Sequence, residues 1–382
     1  MIRRWLLILA FVFSTVFQAD CVRKRTIIIE NEILFPFDPI TDRYLKGSLA
    51  SAATYIASWR EELGTENVEV FLSAPSVAPL DGYRLYDLME DSTLFRRVND
   101  WFGVWFGVKA TGEITDTIPS GSILVIDFDD SSEPVSKVVD ISGFEASRQY
   151  TEYFRNDIMA VKKFFASPIA VIEDSITTRD SYFGPSAFDA LFNEFQQETT
   201  GAGISFFAPP RFDAIIPAGN IYIKDIYDLF RYNNTLVTVL AKGSLLLEFL
   251  EELYARRYYR LDKTAGDLVR IKTPYYLHDS PAGVEFSVNL TKKRGNRIES
   301  LRLPDGNAFS KDSTYTIALN SFQARWFTEK DCPEQDFGDY KTELILWMKE
   351  KQSLRVPDLS RWKLMPERWV REAADRELRT IF

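Results

Sequence analysis

The pattern of apolar and polar positions in the first part of the chain predicts strands alternating with a helix. Residues 26–29 form a β-branched run typical of a buried strand, and residues 68–72 form a second short apolar run. Between them, apolar residues recur at helical spacing over residues 49–63. Two further strands are predicted at residues 123–128 and 135–141. A strand, a helix and a strand in this order open an α/β domain.

The remaining sequence predicts a mixture of helices and short strands. Residues 145–165 have a helical pattern that ends before Pro168, and a second helix follows Ser186 as its N-cap and ends at Gly201. The other predicted elements cover residues 204–207, 225–230, 236–240, 244–259, 284–290, 298–303, 315–320 and 343–351. We therefore predict a mixed α/β (α+β) fold with a domain boundary near Gly143.

Length and composition agree with two folded domains. The chain has 382 residues, of which 46% are apolar and 26% charged, as in globular proteins. We expect a signal peptide at residues 1–20, domains at residues 25–142 and 143–355, and an aromatic-packed tail at residues 356–382. The formal net charge of -9 makes nucleic acid a poor candidate partner, although a locally basic pocket could still bind a small nucleotide.

The N-terminus has the pattern of an export signal. Arg3 and Arg4 precede an uncharged apolar run at residues 5–17, which is shorter than the roughly 20 residues that span a bilayer. We therefore expect an exported protein, in the periplasm or at the cell surface. Cys21 follows this segment directly, so a lipid tether on Cys21 is one alternative. Simple cleavage near Ala19 is the other.

Several motifs between residues 140 and 322 resemble one known family. They are TRDSYFGPS at residues 178–186, IPAG at 216–219, YNNTL at 232–236, DSPAG at 279–283 and NSF at 320–322. Together they resemble the C-terminal, substrate-binding domain of secreted 5'-nucleotidases. In that family two aromatic rings clamp the nucleobase, while an asparagine and an aspartate bind its polar edge. Stacking suits this ligand because every base presents a π-face.

The resemblance implies three ligand-binding positions and leaves a fourth altered. It places the first aromatic on Tyr232, the asparagine on Asn234 and the second aromatic on Phe322. The family's substrate arginine falls on Asp213, and Arg211 stands two residues earlier as the candidate replacement. The alternative for the two aromatic residues is ordinary packing in the core.

Two departures from the family bear on the pocket. Pro209 and Pro210 stand in a loop where the family has glycines, and proline offers no backbone donor. The family's Gly-Gly-Asp loop after the second aromatic is replaced by QARWF at residues 323–327. Glycine permits a ligand to approach the backbone closely, so these changes alter the expected pocket.

Residues 35–72 resemble the part of the family's metallophosphatase domain that follows its first metal motif. A two-metal phosphatase needs bridging carboxylates and several imidazoles, but the chain has one histidine, His278, for which a structural role is expected. The resemblance therefore implies a truncated remnant with no catalytic residues, no metal and no cofactor. Asp127, Asp129 and Asp130 could bind a hard cation or be solvated turn carboxylates. The aromatic run at residues 101–107 could form an interface or be buried within the remnant.

The sequence therefore predicts an exported, catalytically inactive 5'-nucleotidase homologue that could bind a nucleoside or nucleotide. One alternative is a structural or interaction subunit at the cell surface, working with a protein partner and without a ligand. The other is an active phosphoric-ester hydrolase with an unrecognised site.

Overall fold

The computed structural model describes most of the chain. The described residues are 24–29, 35–38, 40–73, 94–107, 109–111, 118–119, 121–128, 133–260, 267–270 and 272–382. The predicted signal peptide and Cys21 lie outside them. In these ranges no helix combines the length and the apolar character that crossing a membrane requires. The chain divides into two compact units, Met1–Lys163 and Phe164–Phe382.

The first unit is built on one mixed five-stranded sheet. Its strands are β1 (Lys24–Ile29), β2 (Val68–Ser73), β3 (Lys109–Thr111), β4 (Ser122–Phe128) and β5 (Val135–Asp140), in the order β3-β2-β1-β4-β5. Its helices are α1 (Leu49–Leu63), α2 (Leu94–Phe106), α3 (Arg148–Tyr153) and α4 (Arg155–Phe165), the last running across the division. Strands β1 and β2 are parallel, with Ile27 opposite Val70, so the predicted β-α-β unit is confirmed.

The aromatic run of α2 divides between the core and the surface. Trp101 and Phe102 are buried, and Trp101 packs edge-on against Tyr150 of α3 at 4.9 Å between ring centroids. Trp105 is 48% exposed. Burial within the unit is therefore confirmed for Trp101 and Phe102, while an interface at the exposed Trp105 stays a prediction. Asp127 is ion-paired with Arg25, while Asp129 and Asp130 lie outside the described residues.

The packing of α3 explains why the division differs from the boundary predicted near Gly143. Phe154, which follows α3, packs against Phe35 at 6.2 Å, and Tyr150 packs against Trp101. These contacts join α3 to the first unit. The amphipathic pattern that predicted this helix could not show which of two neighbouring cores its apolar face would enter.

The second unit contains thirteen strands and six helices among its described residues. The strands are β6 (Pro168–Ile172), β7 (Ile176–Thr177), β8 (Ile204–Phe207), β9 (Ile215–Ile216), β10 (Gly219–Tyr222), β11 (Thr235–Lys242), β12 (Ser280–Ala282), β13 (Glu285–Asn289), β14 (Ile298–Arg302), β15 (Thr314–Asn320), β16 (Glu334–Asp339), β17 (Ser353–Leu354) and β18 (Trp362–Met365). The helices are α5 (Ala187–Thr200), α6 (Ile223–Leu229), α7 (Gly243–Arg257), α8 (Ser321–Thr328), α9 (Tyr340–Lys351) and α10 (Glu367–Ile381).

Helices cover both faces of the central sheet of this unit, whose order is β12-β8-β15-β11-β16. Successive residues of a strand point to opposite faces. Phe206 of β8 packs against Phe249 of α7 at 5.0 Å, and the next residue, Phe207, stacks on Phe192 of α5 at 4.7 Å. The sheet is therefore a buried layer between α5 and α7. The segment that contains His278 immediately precedes β12, an edge strand of this sheet.

The C-terminal residues complete this unit. Trp362 of β18 is buried and stacks on Phe286 of the parallel strand β13, with the ring planes 9° apart. The buried carboxylate of Glu377 in α10 accepts hydrogen bonds from the backbone N–H groups of Leu268 and Val269. Residues 356–382 thus pack through aromatic side chains, as predicted. They also supply a strand and a helix that the sequence pattern did not predict.

We expect Gly283→Ala to destabilise the second unit by more than about 3 kcal/mol. Gly283 has a φ of +81°, and a Cβ there would lie 1.9 Å from the carbonyl oxygen of Gly203. Gly306→Ala is the matched control, because Gly306 has a φ of +85° but open space around it. The control should lose only about 1–2 kcal/mol, from backbone strain. Equal losses of unfolding free energy for the two variants, measured in urea, would contradict this prediction, because the contact with Gly203 would then add nothing to the backbone strain.

Candidate functional site

The second unit has a cavity of about 250 Å³ whose walls include Tyr232, Asn234 and Phe322. The antiparallel pairing of β11 and β15 brings these residues together. Leu236 near the start of β11 lies opposite Asn320 at the end of β15. The residues that precede β11 therefore meet the helix that follows β15. Three of the four ligand-binding residues predicted from the sequence share this one cavity.

The aromatic residues of the cavity are at the surface. Tyr232 is 63% exposed and Phe322 is 39% exposed, so neither ring is filling the core. A third aromatic residue, Tyr276, also lines the cavity, and its ring stands perpendicular to that of Phe322 with centroids 5.6 Å apart. The sequence reasoning missed Tyr276. The available signal was the pair of tyrosines at residues 275 and 276, two residues before the DSPAG motif.

The polar part of the wall is formed by Asn234, Asn320, Gln323 and Arg231. The Asn234 backbone carbonyl accepts from the Tyr340 N–H, whereas its side-chain amide has no hydrogen-bond partner among the described residues. Asn320 caps α8, because its Oδ1 accepts from the backbone N–H groups of Phe322 and Gln323, each at 3.0 Å. That bonding orients the Asn320 amide and leaves its Nδ2 donors for another partner.

Arg211 is not among the residues that line the cavity. Its Nη1 donates to the Asp228 carboxylate at 2.6 Å. Asp213, at the family's arginine position, instead accepts two hydrogen bonds from Arg179, each at 2.8 Å. The bonds from Arg179 hold the pKa of Asp213 below its ordinary value. Arg211 and Arg179 are thus each paired with a carboxylate of the same unit.

The loop from Ala208 to Pro210 gives the cavity an apolar wall. Ala208 and Pro209 are buried, and Pro210 is partly buried. The two prolines have no N–H group to offer a ligand. Recognition at this wall must therefore depend on shape and apolar contact, while hydrogen bonds must come from the polar residues that line the rest of the cavity.

A buried polar cluster centred on Arg257 lies next to the cavity. The Arg257 guanidinium is fully buried and donates to the backbone carbonyls of Asp279 and Ser181. The Gln323 side chain, which also lines the cavity, approaches the buried Asp279 carboxyl and favours its charged form. Burial raises the pKa of Asp279 to about 6 and that of Asp189 to about 7. The TRDSYFGPS motif therefore serves as scaffold, with the carbonyl of Ser181 bound to Arg257.

His278 belongs to the same buried region. Burial lowers its pKa to about 3, so the imidazole is neutral at physiological pH. Its Nε2 lies 3.2 Å from the carbonyl oxygen of Thr273, and its ring packs edge-on against Tyr182 at 5.0 Å. These contacts agree with the structural role expected from the sequence.

Within the described ranges no group of three or more His, Cys, Asp or Glu side chains could hold a metal ion. The family resemblance would place metal-binding motifs at residues 28–34 and 74–75, of which residues 30–34 and 74–75 lie outside those ranges. The structure therefore describes the ligand-side cavity and leaves the metallophosphatase-like remnant a prediction.

Comparison with known proteins identifies the domain that holds the cavity. Residues 168–329 match the family model for the 5'-nucleotidase C-terminal domain. The trifunctional nucleotide phosphoesterase protein YfkN of Bacillus subtilis (strain 168) is 23% identical to this chain over 184 residues. That match covers 46% of this chain and 12% of YfkN, so the chain spans a small part of this relative.

Solved structures of nucleotidases are similar at low sequence identity. A candidate 5'-nucleotidase from Staphylococcus aureus, solved with alpha-ketoglutarate, has a TM-score of 0.48 and 13% identity, covering 95% of this chain and 66% of its own. The 5'-nucleotidase precursor from Thermus thermophilus has a TM-score of 0.46 and 14% identity, covering 87% and 68%. The predicted mixed α/β chain with a 5'-nucleotidase C-terminal domain is confirmed by the fold and the family match.

The buried carboxyl of Asp189 predicts a pH-dependent effect of Asp189→Asn. A carboxyl whose folded pKa of about 7 lies above its unfolded value favours folding at low pH, and this contribution is lost as the pH rises towards 7. The variant should therefore gain stability relative to the wild type between about pH 5 and pH 8. Urea unfolding at both pH values tests this.

Asp213→Asn is the control for this experiment, because Arg179 lowers the pKa of Asp213. Asp213 should be ionised in both folded and unfolded chains above about pH 5, so its substitution should have a nearly constant effect there. A constant difference between Asp189→Asn and the wild type would contradict the raised pKa of Asp189.

Proposed function

Because this chain carries a 5'-nucleotidase C-terminal domain, we propose that it binds the base of a nucleoside or nucleotide in the cavity of that domain. The observation that carries the proposal is the meeting of Tyr232, Asn234 and Phe322 around one cavity. They come from two separate segments of the sequence. Their chemistry is that of a base-binding site, with two exposed rings for stacking and an amide without a partner for the polar edge.

The energetics of stacking favour this use of the cavity. Each ring that stacks on a base contributes about 1–3 kcal/mol, and any base can stack because each has a π-face. Exposed aromatic rings beside an apolar loop lose little by ordering around such a ligand. The Asn234 amide can both donate and accept, so it can pair with the polar edge of several bases.

We propose further that the chain does not hydrolyse phosphoesters. Support comes from the sequence, whose one histidine, His278, is buried in the second unit. Metal-assisted phosphoester hydrolysis in the two-metal manner depends on a set of ligands that a single buried imidazole cannot provide. YfkN is named as a nucleotide phosphoesterase, and this chain covers only a small part of that protein.

Export is the third part of the proposal. The charged start and the apolar run at residues 5–17 support a signal peptide, and Cys21 is the candidate site for a lipid tether. Cell fractionation and intact mass of the mature chain test it. The mass of a chain that begins at Cys21 and carries an added lipid would establish the tether, provided that the added mass is lost in Cys21→Ser. An uncleaved cytoplasmic chain would contradict export.

An interaction subunit remains the second candidate, favoured by the surface of α2. Val104 is 81% exposed and Trp105 is 48% exposed on this helix. Adjacent large apolar side chains at a surface are typical of contact with another protein. In this function the cavity would have no ligand, so a binding measurement separates the two candidates.

We expect Tyr232→Ala and Phe322→Ala each to weaken nucleoside binding by about fivefold or more, because each removes one stacking surface. Isothermal titration calorimetry of the mature chain with adenosine, uridine and their monophosphates measures this. Tyr259→Ala is the matched control, since Tyr259 is 37% exposed in the same unit but does not line the cavity.

The outcomes separate the parts of the proposal. No binding of any of these compounds by the wild type would contradict the ligand role and favour the interaction subunit. Binding that Tyr259→Ala weakens as much as Tyr232→Ala would place the ligand elsewhere. Phosphate release from the monophosphates in the presence of Mn²⁺, Co²⁺ or Zn²⁺ would contradict only the proposed inactivity.

A further inference from the structure

The turn formed by Tyr275–Leu277 contributes a wall of the cavity in addition to the two clamp rings, Tyr232 and Phe322. Tyr276 lines the cavity and is 36% exposed. Its ring is perpendicular to Phe322 at 5.6 Å and perpendicular to Tyr275 at 5.5 Å. The edge of one ring against the face of the next is a favoured aromatic geometry. Phe322 is therefore in contact with an aromatic partner from a different segment of the chain.

The same turn also reaches the first clamp residue. Burial raises the pKa of the Tyr275 hydroxyl, and the nearby Tyr232 side chain raises it further through charge and hydrogen bonding. Tyr275 is therefore near Tyr232, while its neighbour Tyr276 packs against Phe322.

Two backbone hydrogen bonds close this turn. The Leu277 N–H donates to the Pro274 carbonyl and the His278 N–H donates to the Tyr275 carbonyl, each at 3.0 Å. His278 and Asp279, which follow, are buried, and the Asp279 carbonyl is bound to Arg257. The backbone under Tyr276 is consequently anchored to the buried polar cluster and is a stable base for its side chain.

The Phe322 backbone is held by the Asn320 cap, but its exposed ring needs a neighbour to fix its orientation. It lies in the first turn of α8, and its ring is 39% exposed. The Arg325 guanidinium approaches this ring at 5.9 Å, but that side chain is itself exposed. Tyr276 is the ring contact that joins Phe322 to an anchored segment.

We infer that Tyr276 is a further specificity-determining residue of the cavity, acting as a third aromatic wall and holding the Phe322 ring in the orientation that stacks on a base. This inference rests on the proposed nucleoside binding. Tyr276 bounds the cavity beside the clamp, so it also limits the size of the ring system that fits. Its removal both loosens Phe322 and opens that side of the cavity.

Calorimetric titration of Tyr276→Ala with adenosine and uridine tests the inference. Losing one edge-to-face pair should weaken binding by about 3–10-fold. The ratio of the adenosine and uridine dissociation constants should move towards one, because the size limit is relaxed. Tyr276→Phe keeps the ring and should restore wild-type affinity and selectivity. Tyr259→Ala again serves as the surface control.

The results distinguish this inference from the proposed function. If the wild type binds no nucleoside, the proposed function fails. If the wild type binds, and Tyr232→Ala weakens binding while Tyr276→Ala leaves affinity and selectivity unchanged, only the inferred role of Tyr276 is overturned. A Tyr276→Phe variant as weak as Tyr276→Ala would also overturn it, because the ring would not be the acting group. Equal thermal midpoints for the variants and the wild type would show that a binding loss is local.

Discussion

The buried guanidinium of Arg257 is the constraint on which the second unit depends. An isolated charge in a protein interior is strongly unfavourable unless hydrogen bonds and opposite charges compensate it. Here the compensation comes from the carbonyls of Ser181 and Asp279, with the Asp189 and Asp279 carboxyls contributing favourable charge. The TRDSYFGPS segment, helix α7 and the segment before β12 must therefore keep their relative positions. Moving any of them would leave Arg257 without its acceptors.

The cavity takes its shape from this frame. The Gln323 side chain at the start of α8, next to Phe322, approaches the Asp279 carboxyl, and the turn with Tyr276 precedes Asp279 by a few residues. The cavity walls formed by α8 and by the turn with Tyr276 therefore both adjoin the buried cluster around Arg257. On the remaining side, prolines replace the glycines of the family's loop, so an apolar surface stands where backbone donors would be. In the proposed function, the site keeps the stacking residues that the family resemblance implies, within altered surroundings.

Much of this organisation follows from local patterns in the sequence. The predicted helix at 49–63 has the observed bounds, and Ser186 caps α5 through its side chain as predicted. Three of the four proposed ligand residues meet because β11 and β15, both predicted as strands, pair with Leu236 opposite Asn320. The family motifs supplied the roles of these residues. The pairing register, which no local pattern contains, supplied their proximity.

The elements that were missed depend on contacts distant in sequence. Strand β16 has the polar sequence EQDFGD and no alternation, and it forms because β11 offers a free edge for its hydrogen bonds. Arg211 was expected at the cavity, but Asp228 lies close enough to pair with it. Tyr276 was overlooked because its role arises from a ring in another segment. In each case tertiary structure decides what a residue with unremarkable local sequence does.

The central claim is that the cavity is a base-binding site, and a crystal structure of the mature chain soaked with adenosine tests it most directly. The account predicts the adenine ring between Tyr232 and Phe322, with its polar edge on the Asn234 amide and one side against Tyr276. A fully occupied adenosine at another place, or an empty cavity at saturating adenosine, would contradict it.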